Sequence, residues 1–302
     1  MTAFLQALNR QKVSWLFVAP AVGLFLVFVV VPIIVSFCWS FTAFDVIHPA
    51  RFTGLANYVR ILCHDPRFWK ALVNTSLYVV GVVPSGIVIA LLLAVAMEEP
   101  IRGKYLFRTL YFMPYATAVA AISVIWKWLF AGEKYGLINY GLIKLGLQPI
   151  DWLSSTTWTL PAIMIMSVWA GLGYNLILFS AGLQTIPQSL YEAAEIDGAG
   201  WCQKFWHVTL PLLRPMLTFV VIMSVITSYQ VFDQVYIMTS GVGEGAIGGV
   251  LDSALTIVAY LYDMGFQRFQ MGYASALAFL LFVSLLGLTL FNLRQLRSRV
   301  DY

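Results

Sequence analysis

Six stretches of 18 or more residues contain no Asp, Glu, Lys or Arg, so the charge of the chain is confined to the segments between and beyond them. The runs cover residues 13–44, 71–97, 109–126, 152–191, 215–232 and 269–293. A helix needs about 20 mostly apolar residues to cross the hydrocarbon of a bilayer and tolerates few ions on the way. The pattern therefore predicts an all-α polytopic membrane protein with six transmembrane helices. Expected spans are about 14–41, 71–96, 107–130, 160–183, 211–238 and 270–293, in a single domain over residues 1–302. Composition agrees, because 60% of the chain is apolar and 11% is charged, against about 25% charged in soluble domains. A barrel would show short alternating segments, and these runs are continuously apolar.

Arg10 and Lys12 precede the first run, which is too long for the core of a signal peptide and is followed by no small-residue cleavage site, so an uncleaved first span is expected. An even number of spans puts both termini on one side. Arg294, Arg297 and Arg299 after the last run, with Arg10 and Lys12 before the first, point to the cytoplasm. The Lys and Arg count is then ten inside against eight outside. Charge alone leaves the opposite orientation open.

Several motif matches carry no chemistry. Gly243, Gly245 and Gly248 satisfy GxGxxG without the strand and helix that a dinucleotide fold requires. Asn74-Thr75-Ser76 has the form of a glycosylation sequon inside a span, where it serves helix packing. Cys38, Cys63 and Cys202, like His48, His64 and His207, have no spacing that makes a disulfide framework or a metal site. No lysine is followed by Ser or Thr, so a phosphate-binding P-loop is excluded and any ATP must be hydrolysed by another chain. Intramembrane catalysis needs a nucleophile, a carboxylate pair or a metal, and the spans hold almost no ionisable groups. Neither a catalytic, a cofactor nor a metal site is expected. Ion-coupled secondary transport is the alternative transport class, although it usually uses buried carboxylates and an internal repeat, neither of which stands out.

The connection 184–210 is the most informative segment. Leu190 to Ile196 consists of strong helix formers with small Ala residues that allow another surface to approach. Asp197-Gly198 supplies a turn, because glycine reaches positive φ without a Cβ clash. Trp201, Phe205 and Trp206 give a second short helix that can lie at the membrane boundary, and Thr209 with Pro211 can start the fifth span. From composition alone this is an interfacial helix-turn-helix.

Glu192, Ala193 and Ala194, followed by Gly198 and then by Val208, Leu210 and Pro211 at the same offsets, match the EAA motif of binding-protein-dependent ABC importer permeases, with Val for the usual Ile as the one departure. The resemblance covers nearly the whole chain and is closest to the maltose, lactose and glycerol-3-phosphate group. It includes Val18-Ala19-Pro20, Val31-Pro32-Ile33, Gly54 to Tyr58, Phe68-Trp69, Asn74-Thr75, Arg102-Gly103, Phe107 to Thr109, Met113-Pro114, Gly136 to Asn139, Ala181 to Gln184 and Gly272 to Ala276. The chain resembles the first permease of a heteromeric pair and lacks the large outer insertion of the maltose member. It departs after Thr239, where residues 240–249 read Ser-Gly-Val-Gly-Glu-Gly-Ala-Ile-Gly-Gly instead of a Gly-Gly-Pro turn.

The resemblance implies a type I ABC importer permease fold in a bacterial or archaeal cytoplasmic membrane, with both termini cytoplasmic. It also implies a second permease, an ATPase dimer that carries ATP and Mg, and an extracytoplasmic solute-binding protein. The loop 184–210 would couple to the ATPases, with Glu192 available for a charge-assisted contact.

For the substrate path, Tyr229, Phe232, Asp233 and Tyr236 fall on one face of a continuous helix, with Gln230 and Gln234 beside them, and Tyr174 and Asn175 are candidates in the fourth span. Aromatic faces with hydrogen-bonding side chains suit a sugar or polyol, and the same groups serve equally to stitch helices together. A straight helix from Leu212 would carry Asp233 to the outer end, which favours an outer gate. Only Lys127 and Arg268 lie near outer span ends. A neutral carbohydrate is therefore preferred, with glycerol-3-phosphate or a glycerophosphodiester as the alternative.

Overall fold

The computed structural model describes residues 12–98, 103–132, 135–241 and 247–297, and side chains only between 16 and 290. Arg10, Arg102, Arg299 and residues 242–246 of the Gly-rich segment lie outside the described residues. The chain is mostly helical and divides into two compact units, one of Met1–His64 with Leu261–Leu280 and one of Asp65–Tyr260 with Leu281–Tyr302.

In the first unit, α1 (Lys12–Phe25), a π-helical turn (Leu26–Val30) and α2 (Val31–Ser40) form one apolar rod. The π turn ends two residues before Pro32. Proline offers no N–H and crowds the carbonyl four residues back, and a widened turn relieves both conflicts. A short ladder follows, with β1 (Thr42–Ala43) antiparallel to β2 (Arg51–Phe52), a small departure from the all-helical expectation. Then comes α3 (Ala56–His64), whose Asn57 amide donates to the carbonyls of Ser40 and Thr42 at 2.9 Å each. At the other end of the chain, a π turn (Asp263–Gln267) leads into α15 (Met271–Arg297). The Gly272 N–H donates to the Phe44 carbonyl at 3.0 Å, and a Cβ there would strike the Thr42 carbonyl, so only glycine lets the hairpin seat on this helix.

The second unit begins with α4 (Pro66–Ala96). Asp65 caps it, accepting from the N–H groups of Arg67 at 2.9 Å and Phe68 at 3.3 Å, and Pro66 occupies the first turn where its missing N–H costs nothing. Next are α5 (Lys104–Ala116), α6 (Val119–Leu129), α7 (Leu137–Lys144) and α8 (Thr159–Leu183). The short helices α9 (Gln188–Ile196), α10 (Trp201–Lys204) and α11 (Leu210–Leu212) lead to α12 (Arg214–Tyr229), α13 (Asp233–Thr239) and α14 (Ile257–Tyr262), the last shared at its end with the first unit. The core lies where α4, α8 and α12 meet, around Val83, Ile87, Ala90, Leu176, Phe179, Leu213 and Val220. Small residues at the crossings let the helices close on one another.

Among the described residues, four helices are long and apolar enough to cross a membrane, and two bent pairs bring the number to as many as six. Two expected spans are not straight. Residues 107–130 are divided between α5 and α6, which meet at 98° where Thr117 and Ala118 adopt extended backbone just after Pro114. Residues 211–238 are divided twice, by a 69° bend at Leu213 and by a non-helical stretch at 230–232. Apolar content is the same in a straight helix and a broken one, so hydropathy does not register these bends.

Candidate functional site

The 184–210 connection folds as two short helices with every turn accounted for. Helix α9 ends in a Schellman motif, in which the Gly198 N–H donates to the Glu195 carbonyl at 3.0 Å and the Ala199 N–H to the Ala194 carbonyl at 2.8 Å. Gly198 has φ +74°, in the left-handed region that the motif requires. The Gln203 side-chain oxygen accepts from the Gly200 N–H at 2.8 Å and starts α10. Lys204 Nζ reaches Glu195 at 2.7 Å and braces one helix against the other.

A π turn (Phe205–Thr209) then precedes Pro211, repeating the arrangement before Pro32. Tyr191 and Thr209 hydroxyls lie 3.0 Å apart and tie the first helix to this turn. Tyr191, Phe205 and Leu210 pack on the core that contains Leu183, Ile186 and Leu213. Glu192, Ala193 and Gly198 are exposed and Ala194 half-buried, whereas Val208, Leu210 and Pro211 are half-buried on the side of the core. Within the described chain Glu192 makes no hydrogen bond or ion pair, while Glu195 is engaged by Lys204. Ile196 is 88% exposed at the end of α9, an apolar anchor that the sequence reading did not single out. Its only signal was a large β-branched residue directly before Asp197-Gly198.

A cavity of about 360 Å³ lies among α4, α5, α6, α8 and α12. Gly173 sets its shape, because a Cβ at that position would strike the Tyr111 carbonyl and come within 2.6 Å of Phe112 Cα. This close passage of α5 over α8 brings Tyr115 onto Tyr174, with ring centroids 4.9 Å apart and planes at 24°. Beside the stack, the buried Asn175 carboxamide makes no hydrogen bond within the described chain. Ser167 and Thr227 donate their hydroxyl protons to the carbonyls of Ile163 at 2.8 Å and Met223 at 2.9 Å, which leaves oxygen lone pairs as acceptors. Tyr78, Ser224, Ser228 and Gln234 complete the polar lining, and among the described residues no Asp, Glu, Lys, Arg or His is part of it.

Of the path candidates, Tyr174 and Asn175 line this cavity, while Tyr229, Gln230, Phe232, Asp233 and Tyr236 do not. Tyr229 to Tyr236 do not share one helix face, because α12 stops at Tyr229 and Phe232 has φ −140° and ψ −59° before α13 begins. Phe232 and Tyr236 nevertheless stack with centroids 5.5 Å apart, and Asp233 is exposed in the first turn of α13. The two outlying cations are both occupied. Lys127 donates to the carbonyls of Ile237 and Ser240 at the end of α13, and Arg268 pairs with Asp263 at 3.1 Å. Tyr78, Tyr115 and the α12 hydroxyls were not singled out from sequence, because they come from separate helices and no local spacing links them; Ser167 was also missed, although it lies seven residues before Tyr174 on the same face of α8.

The arrangement of these helices is that of a known transporter fold. The chain matches a crystal structure of a bacterial ABC transporter involved in import of the acidic polysaccharide alginate, with a TM-score of 0.83 at 20% identity over 99% of this chain and 100% of that one. The same type of transporter in complex with an alginate pentasaccharide-bound periplasmic protein matches with a TM-score of 0.84 at 21% identity, over 98% of both chains. Sequence carries the relationship further. The chain is 37% identical to the lactose transport system permease protein of Rhizobium radiobacter over 291 residues, 95% of this chain and 94% of that protein. It is 34% identical to the arabinooligosaccharides transport system permease protein of Bacillus subtilis (strain 168), over 95% of this chain and 89% of that one. The trehalose/maltose transport system permease protein of Thermococcus litoralis is 33% identical, over 97% and 96%. Residues 86–299 match the binding-protein-dependent transport system inner membrane component family, and the chain belongs to it.

Proposed function

We propose that this chain is one of two permease subunits of an ABC importer and that it forms, with the second, the path for a neutral sugar or related polyol. The observation that carries the substrate class is the ion-free cavity, with its Tyr115–Tyr174 stack and uncommitted Asn175 carboxamide. Sugars present C–H faces to aromatic rings and hydroxyls to amides, and a phosphorylated ligand would require a cation that this lining lacks. The sugar-permease relatives point the same way. In a reconstituted complex, Asn175→Ala and Tyr174→Ala should each lower uptake of the neutral substrate about tenfold, as expected for a lost hydrogen bond or a lost aromatic platform. ATPase activity without substrate should be unchanged. Uptake confined to glycerol-3-phosphate or a glycerophosphodiester would overturn the neutral assignment. Uptake by the isolated chain in an ion gradient would favour a secondary transporter.

In this reading the two bent helix pairs each count as one crossing, which gives six spans with both termini in the cytoplasm. The exposed half of the 184–210 loop docks on an ATPase dimer that holds ATP and Mg, with Glu192 supplying charge and Ile196 apolar contact. Phe232, Asp233 and Tyr236, with Tyr229 and Gln230, form a gate beside the break at 230–232, on the side where a solute-binding protein delivers the ligand. Cys63 and Cys202 are both exposed in the chain. An impermeant thiol reagent applied to intact cells should modify Cys63, and Cys202 only after permeabilisation. The reverse pattern would invert the orientation and remove the loop from the cytoplasm.

A further inference from the structure

In the unit made of residues up to His64 and Leu261–Leu280, a polar pocket of about 460 Å³ opens between the β1–β2 hairpin and the start of α15. Arg51 and Arg60 line it together with the Asp45–His48 pair. Asp45 is occupied by His48, whose backbone N–H and ring nitrogen lie 2.8 and 2.7 Å from its carboxylate oxygens; the N–H bond first, then the ring, holds that carboxyl below its ordinary range. Arg60 is fixed by Gln270 at 3.3 Å and lies over the Tyr273 ring at 4.8 Å. Arg51 makes no hydrogen bond or ion pair within the described chain. The two arginines outnumber the one carboxylate among the described residues that line the pocket.

Beside this pocket is an apolar groove of about 450 Å³ between α2 and α15, with Val31, Val35 and Trp39 on one wall and Met271 and Ala278 on the other. The two share a partition, since Phe44 lines the pocket, Trp39 lines the groove, and their rings pack at 4.7 Å. The groove follows the end of Leu16–Ser40, the most apolar of the spanning helices. Aromatic side chains such as Trp39 and Phe44 are favoured at the level of lipid headgroups.

We propose that pocket and groove together hold one anionic glycerophospholipid, its phosphodiester against Arg51 and Arg60 and one acyl chain between α2 and α15. Planar guanidinium groups match phosphate oxygens, and Arg51, uncommitted within the described chain, lines the same pocket as the positioned Arg60 and adds a second guanidinium to it. A carboxylate of a docking protein would satisfy the arginines but leave the apolar groove empty. The inference requires only that the chain sits in a membrane and is independent of the sugar assignment.

The test is native mass spectrometry of the full permease complex in detergent, challenged with phosphatidylglycerol, phosphatidylethanolamine or inorganic phosphate. The wild type should retain phosphatidylglycerol preferentially, and Arg51→Gln should lower its occupancy about tenfold, the loss of one charge-assisted contact. Val35→Trp should lower lipid occupancy similarly by filling the groove, and Arg60→Lys should fall between, keeping charge but losing the planar fork. Arg51 is exposed on a two-residue strand, so its substitution leaves the core intact. Unchanged lipid occupancy in both Arg51→Gln and Val35→Trp would overturn the proposal. So would displacement of the lipid from wild type by inorganic phosphate, which would identify a free anion as the ligand. Weakened docking of the solute-binding protein in Arg51→Gln with lipid occupancy unchanged would assign the pocket to that protein instead.

Discussion

Gly198→Val should reduce uptake about tenfold or more while the protein stays in the membrane at near-normal abundance. Gly198 sits at φ +74° in the Schellman motif, and a β-branched residue held in that region costs about 1–3 kcal/mol. Among the described residues, and apart from its two chain neighbours, no atom lies within 4 Å of where its Cβ would be, so the penalty is conformational and falls on the turn between α9 and α10. If the turn relaxes, the Glu195–Lys204 brace of 2.7 Å is lost and the exposed face carrying Glu192 and Ile196 is reoriented. Gly198→Asn provides the discriminating control, because asparagine adopts the left-handed region readily. Uptake near wild type in Gly198→Asn with loss in Gly198→Val identifies backbone conformation as the requirement. Loss in both places the partner within contact of the glycine, and retention in both removes the coupling role of this loop. Glu192→Lys should be comparably damaging, because it reverses a charge that nothing within the described chain neutralises.

Gly173→Val should have the opposite signature, with loss of the folded protein as well as of transport. The added Cβ would meet the Tyr111 carbonyl and Phe112 Cα, and backbone atoms cannot swing aside as a side chain can. Helix α5 would have to lift from α8, at an overpacking cost of about 1–3 kcal/mol or more, and the Tyr115–Tyr174 stack would open with it. Thermal unfolding of the purified complex and abundance in membranes are the measurements. Gly171→Ala, whose Cβ would point into open space two residues away on the same helix, should leave both at wild-type values. Equal stability of Gly173→Val and Gly171→Ala would show that α5 does not pass over α8 as described.

The 184–210 loop was legible in the sequence because its chemistry is local. Asp197-Gly198 announces a turn, Glu192 to Ala194 lies within one helical segment, and the structure adds only the hydrogen bonds that close α9. Long apolar runs likewise announced the helices of residues 71–96 and 160–183, seen as Pro66–Ala96 and Thr159–Leu183. The bend after Pro114 had a visible cause, and so did the bend at Leu213, which lies between Pro211 and Pro215 beside Arg214, whereas the break before Asp233 has no proline or glycine to announce it. That break separates the residues that periodicity had grouped on one face. The cavity was legible only at Tyr174 and Asn175, since it gathers Tyr78, Tyr115 and Ser228 from other helices far apart in the chain. Such a site exists only after packing, and the glycine that permits the packing leaves no chemical signature of its own.

The 69° corner at Leu213 determines the kind of motion this architecture can pass on. Leu213 is 1% exposed and sits where a Cβ on Gly182 would come within 2.9 Å of its side chain, so the corner is anchored in the core. The arm before it, Trp201–Leu212, meets α12 at a steep angle, and a displacement along that arm is resolved mostly across the axis of α12. Sliding α12 lengthwise would demand that its packing on α4 and α8 be broken and remade one turn further on, as interdigitated cores resist gradual shear. Tilting about the anchored leucine disturbs fewer contacts near the pivot and most at the far end, where Thr227 and Ser228 line the cavity. A small stroke at the loop would thus reach the cavity as a change in width, a hinge and not a piston.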